Sequence, residues 1–153
     1  MHLYLVRHAH ARDGDDDAAR PLSEKGIGQI RDLGRRLRTA KAVDVHELWH
    51  SPLVRARDTA VRLQKELGLT ANLRVEEGLT PGDAPEIIAR RLGKRAIPVM
   101  LVGHEPHLSA LATLLVTGQT MPVRFVMKKC AVLRLDREGN GWAVRWLLSP
   151  EVV

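Results

Sequence analysis

The sequence predicts an α/β fold: a single three-layer sandwich, with a mostly parallel central sheet, helices on both faces and an antiparallel edge. Three observations predict it. Leu3–Val6 and Ile97–Val102 are short apolar runs without polar alternation, the pattern of strands covered on both faces. Segments with apolar residues at helical spacing follow most of the strands, so that strand and helix alternate. Towards the end the pattern changes to period two, in Ala131–Leu135 and Trp142–Leu147 around Asp136–Gly141, which predicts a hairpin.

The elements follow in order. The first strand, Leu3–Val6, runs into Arg7-His8-Ala9-His10-Ala11 and then a polar loop, Asp13–Asp17. Four carboxylates there lack the alternating ligand spacing and terminal Glu of a calcium loop, so a solvated loop is expected. Ser23 is placed to cap a helix whose apolar face is Ile27, Ile30, Leu33, Gly34 and Leu37. Val43–Trp49 reads as a second strand, interrupted by Asp44, His46 and Glu47. His50-Ser51-Pro52 is its exit, with Pro52 near the start of a helix that carries Arg55, Thr59 and Leu63 and stops at Gly68. Leu73–Val75 is a short strand, and Leu79–Asp83 leads into a helix with Ile87, Ile88 and Leu92 inward. Ile97–Val102 ends at Gly103-His104, and Pro106-His107 opens a helix with Leu108, Leu111, Ala112 and Leu115 on one face.

At 153 residues the chain suits one domain, 1–153, with one sizeable core. Aromatics are only 3%, so that core is expected to be aliphatic. No apolar run reaches membrane-spanning length, and Met1-His2 leads into a strand rather than a signal peptide, so no membrane association and a cytoplasmic location are expected. The lone Cys130 excludes an internal disulfide and is expected as an inert thiol in a strand. The 24 basic and 18 acidic residues leave a charge of +6 with neutral histidines. Acidic residues are interspersed with most of the basic ones, and no aromatic-basic pattern accompanies them, which argues against nucleic-acid binding.

Three candidate site segments share an address. His8 follows the first strand, Arg55 the second and His104 the strongest later strand, and a doubly wound sheet brings such strand ends together. His8, His10, His104 and His107 could supply metal nitrogens, yet Arg7 and Arg55 would sit beside the ion and no carboxylate completes a ligand motif. Planar guanidinium groups suit phosphate better, and with histidines they compensate its charge without a metal or other cofactor. An ordinary polar strand end would account for His8 or His104 singly but not for the joined set.

These residues stand in ordered motifs: Arg7-His8-Ala9-His10-Ala11, Arg20-Pro21-Leu22-Ser23 with Gly26, Ser51-Pro52-Leu53-Val54-Arg55-Ala56 with Thr59-Ala60, and Gly103-His104-Glu105-Pro106. From residue 3 to about residue 148 the chain resembles the histidine phosphatase superfamily. Its length and the Leu79–Asp83 segment are most similar to the small phosphohistidine phosphatase branch. The resemblance implies that His8 is the nucleophile that becomes phosphorylated, that Arg7 and Arg55 clamp the phosphate, and that His104 is the second histidine beside the transferring group. It also implies a phosphohistidine-containing protein as partner and inorganic phosphate as product.

Larger relatives use a Glu as acid, and Glu77 is the candidate here. Anchoring on Leu79-Thr80-Pro81 puts Gly78 at the branch's usual acidic position, so Glu76 and Glu77 are expected to be solvated. A phosphohistidine substrate relaxes the need for an acid, because protonated imidazole leaves far more readily than an alkoxide. Few residues remain for a cap, and a shallow basic cleft open to a protein side chain is expected. The alternatives are a small-molecule phosphomonoesterase and a noncatalytic phosphoprotein-binding module. Sequence leaves the oligomeric state open.

Overall fold

The computed structural model describes residues 1–152. The chain runs β1 (His2–Arg7), α1 (Glu24–Thr39), β2 (Glu47–His50), α2 (Val54–Leu67), β3 (Asn72–Val75), α3 (Pro85–Gly93), β4 (Val99–Gly103), α4 (His107–Thr117), β5 (Val132–Glu138) and β6 (Gly141–Leu148). Its sheet has the order β3-β2-β4-β1-β5-β6. The first four of these are parallel, and β5 and β6 add the antiparallel edge. This is the α/β sandwich that the alternating patterns predict.

Leu3–Val6 is buried throughout because β1 lies between β4 and β5 and feeds both faces. Successive side chains point to opposite sides of a strand. Tyr4 and Val6 therefore join Ile30, Leu33 and Leu63 of α1 and α2, whereas Leu3 and Leu5 join Ile88, Leu92 and Leu111 of α3 and α4. Each fully buried Leu or Ile contributes about 1.5–3 kcal/mol from apolar surface removed from water. Ser23 caps α1, its side chain accepting from Gly26 N at 3.1 Å, and Gly68 ends α2 in the left-handed region at φ 66°. No helix among the described residues is long and apolar enough to cross a membrane.

Several boundaries differ from the sequence reading. The second strand is Glu47–His50 rather than Val43–Trp49, because the Tyr4 hydroxyl holds the preceding segment as a connection: it donates to Ala42 O and accepts from Asp44 N, both at 3.3 Å. Glu47 is buried in that strand. Its carboxylate accepts from Trp49 Nε1 at 2.7 Å and pairs with Arg95, so burial leaves no unmatched charge. Pro98 lacks an N–H, and β4 starts after it, at Val99. The hairpin turn is only Gly139-Asn140, with Gly139 at φ 57°, so Asp136–Glu138 belong to β5. Cys130 lies just before β5 rather than in a strand, at φ 62°.

The register sets the position of the site. Arg7 lies level with Gly103, and His50 with Val102, so β1, β2 and β4 end together at the carboxyl edge. His8 N donates to Gly103 O at 2.9 Å and Ser51 N to Val102 O at 3.0 Å, which carries the alignment one residue beyond the strands.

Candidate active site

His8 leaves β1 where the backbone turns and its side chain is 6% exposed. Its Nδ1 is 2.7 Å from Ala9 O. A carbonyl can only accept, so Nδ1 carries the proton and Nε2 keeps its lone pair. Burial, and then the positive charges of Arg55, Arg7 and Lys129, lower the His8 pKa to about 4. The ring is neutral at pH 7. His104, immediately after β4, stands opposite with ring centroids 5.0 Å apart and planes at 51°. Its Nε2 is 2.7 Å from Ser51 Oγ, and burial followed by the charges of His8 and Arg55 lowers its pKa to about 3.

The arginines come from two elements. Arg7 ends β1, and its Nη1 donates to Met127 O at 2.9 Å. Arg55 lies in the first turn of α2 and is 5% exposed. Its Nη1 donates to Asp17 O at 2.8 Å and its Nη2 to Asp17 Oδ2 at 3.3 Å. Arg7 Nε, Arg55 Nε and His104 Nδ1 are buried without hydrogen-bond partners among the described residues. Two guanidinium groups and a neutral imidazole with uncommitted nitrogens suit a tetrahedral oxyanion.

Two residues that the sequence reading did not assign organise this site. Thr59 Oγ1 accepts from Ala9 N at 3.0 Å and donates to Arg55 O at 2.7 Å, tying the His8 turn to the start of α2. Thr59 stands in the Arg55 motif, but its helical spacing alone does not show that it reaches Ala9 N. Asp17, read as part of a solvated loop, touches both Arg55 and Arg20, the latter at 3.2 Å. The Arg20 and Arg55 contacts hold its carboxyl below the usual carboxylate range.

Glu77 is exposed, and the carboxylate whose charge acts on His104 is that of Asp17. Glu76, expected to be solvated, instead pairs with Arg91 and, at 3.2 Å, with Arg74. Gly78 takes φ 91° in the turn that follows. Burial raises the Cys130 thiol pKa to about 12. His10 is turned to Ser23 Oγ, 2.6 Å from its Nδ1, and among the described residues no three His, Cys, Asp or Glu side chains group to hold a metal ion.

The sheet and its carboxyl edge thus define an α/β protein in which His8 and His104 face each other and the charges of Arg7 and Arg55 act on the His8 ring. A family model of the histidine phosphatase superfamily (branch 1) matches residues 3–84, and the chain belongs to that superfamily. An uncharacterized protein of Picosynechococcus sp. is 35% identical over 128 residues, covering 78% of this chain and 76% of that one. The fold is similar to that of the protein histidine phosphatase SixA complexed with tungstate, at TM-score 0.87, 24% identity and 99% of each chain covered. A phosphoserine phosphatase mutant from Entamoeba histolytica in complex with phosphoserine gives TM-score 0.72 at 16% identity, covering 98% of each chain.

Proposed function

We propose that the chain is a metal-independent protein phosphohistidine phosphatase acting through phospho-His8. The observation that carries this reading is the Nδ1–H of His8 on Ala9 O, which leaves Nε2 unprotonated beside His104. In the first half-reaction Nε2 attacks phosphorus as the bond from phosphorus to the substrate imidazole breaks. The departing imidazole keeps its proton and leaves neutral. Arg7 and Arg55 compensate charge on the equatorial oxygens, and His104 hydrogen-bonds the transferring group. Water then attacks phosphorus in phospho-His8, giving inorganic phosphate and restoring Nε2.

A protonated imidazole leaving group needs no carboxylic acid, which fits a site whose Arg55 is paired with Asp17, a carboxylate held ionised by arginines. Among the described residues the regular elements are one sheet, four helices and two three-residue 3-10 turns, with no further layer of helices or strands to cap the carboxyl edge, as access by a protein side chain requires. A parallel turnover assay on a phosphohistidine protein, a phosphoserine protein and several sugar phosphates, before and after dialysis against a strong chelator, tests the proposal. The phosphohistidine protein should be hydrolysed fastest and the rate should survive chelation. Faster turnover of sugar phosphates would favour a small-molecule phosphomonoesterase, and binding without turnover would favour a phosphoprotein-binding module.

A further inference from the structure

Beside the catalytic centre, a recess of about 410 Å³ is lined by His10, Lys25, Gln29, Lys128, Lys129 and Glu151, among others. Three lysines face one small volume, and none of them makes an ion pair within 4.0 Å among the described residues. Glu151, also on the wall, is exposed, and Asp13 lies near enough to act on Lys129. Neither forms a close pair with a lysine. The walls are anchored rather than loose. Gln29 Oε1 accepts from His10 N at 2.9 Å, His10 bonds Ser23, and Lys25 stands in the first turn of α1, whose N-terminus adds a partial positive charge.

The recess is also tied to the phosphate clamp. Met127 O accepts from the Arg7 guanidinium at 2.9 Å, and Cys130 N donates to Arg7 O at 3.1 Å. Lys128 and Lys129 lie between these two attachments, in a turn closed by Ala131 N on Lys128 O at 2.9 Å. Arg7 thus holds the two lysines at a set place beside the group that it clamps. The charge of Lys129 acts on His8, and Arg7, Arg20 and Lys25 act in turn on Lys129. Like charges held this close repel one another, and an anion in the recess relieves that repulsion.

We infer that the Lys25–Lys128–Lys129 recess is a second anion subsite, which receives carboxylates of Asp or Glu side chains flanking the phosphohistidine on the protein substrate. This rests on the proposed phosphohistidine reading. Rim charges of this kind select partners and speed encounter more than they alter the bond-breaking step. Acidic flanks should lower KM and leave kcat unchanged.

The test compares two phosphohistidine peptides, one flanked by Asp and Glu and one by Ser and Gly, with free phosphoimidazole as a substrate that has no flanks. The unphosphorylated peptides serve as competitive ligands. Wild-type protein should prefer the acidic peptide by about ten-fold in kcat/KM, the effect of a few screened charge pairs. The preference should shrink as ionic strength rises from about 0.05 M to about 0.5 M. A Lys25→Glu, Lys128→Glu double variant spares Lys129 beside His8. It should lose the preference while hydrolysing phosphoimidazole within about two-fold of wild type, because both lysines are exposed and a substrate without flanks does not engage them. Equal handling of the two peptides, or a preference that persists in the double variant, overturns the subsite and leaves the phosphatase reading intact. A lysine-dependent preference for small bisphosphates in place of acidic peptides also overturns it. If no phosphohistidine substrate turns over, the phosphatase reading falls, and competition by the unphosphorylated peptides still decides the subsite: tighter lysine-dependent binding of the acidic one supports it, equal binding overturns it.

Discussion

Asp17 grips Arg55 twice, through its backbone carbonyl at 2.8 Å and its carboxylate at 3.3 Å. The two contacts have different consequences. The carbonyl orients the guanidinium, which is 6% exposed in its side chain. The carboxylate, 67% exposed, brings a negative charge to a group proposed to bind phosphate.

Asp17→Asn keeps the carbonyl contact and removes the charge. Phosphate affinity should rise about two- to five-fold, the worth of one partly solvated ion pair. Phosphate inhibition and equilibrium competition measure it directly. Weaker phosphate binding in a folded variant would show that the carboxylate helps to build the clamp rather than competing for it.

Histidine titration should also be displaced. The His8 pKa is lowered to about 4 and that of His104 to about 3, against an unfolded value of about 6.5. The unfolded chain therefore takes up these protons first on acidification. Stability from the two neutral rings is complete above about pH 6.5 and is lost as pH falls towards the folded values. The thermal midpoint should drop between about pH 7 and pH 4, and part of that drop should be missing in His8→Asn. Histidine NMR signals assigned by substitution should place the His8 midpoint near 4. A midpoint near 6.5 would remove the basis for a neutral, desolvated nucleophile.

Much of the architecture could be read from the sequence because β1 and β4 are covered on both faces, which leaves uninterrupted apolar runs. The shared address of His8, Arg55 and His104 was readable for the same reason: once strands and helices are placed, the strand ends follow from topology. Asp17 was not readable, since one carboxylate in an aspartate-rich loop carries no sign of which arginine it will meet. The irregular stretch 119–130 has no periodicity, yet it supplies Met127 O and the two lysines beside Arg7. Glu47 looked like an interruption of β2, because sequence spacing alone does not place Trp49 and Arg95 around its carboxylate.

Gly26 and Gly28 make a direct comparison within α1. A Cβ on Gly26 would lie 2.1 Å from His10 O, which also accepts from Ser23 N at 3.0 Å. The nearest atom to a Cβ on Gly28 is Arg31 Nη2, the end of a flexible side chain, at 3.8 Å. Gly26→Ala should therefore destabilise by about 1–3 kcal/mol through overpacking. Gly28→Ala should be neutral or stabilise by up to about 1 kcal/mol through helix propensity. Denaturant midpoints at constant slope test the pair. Equal effects would mean that the close approach of α1 to the His10 turn is not maintained in solution.

The two histidines should separate in a phosphoryl-trapping experiment. His8 presents an unprotonated Nε2 because its Nδ1 proton is committed to Ala9 O, whereas His104 Nε2 is engaged with Ser51 Oγ. His8 should therefore carry the transient phosphoryl group and His104 should not. Asn at position 8 keeps polarity and much of the volume but has no ring nitrogen to form the phosphoramidate. His8→Asn should bind phosphate, form no phosphoenzyme and lose nearly all turnover. His104→Asn should slow turnover by about 10²- to 10³-fold, the usual cost of one stabilising donor, and still label at His8. Quenching at alkaline pH preserves the phosphoramidate, and peptide mapping then locates it. Label on His104 in the wild-type protein, or wild-type rates in His8→Asn, would overturn the assignment of the nucleophile.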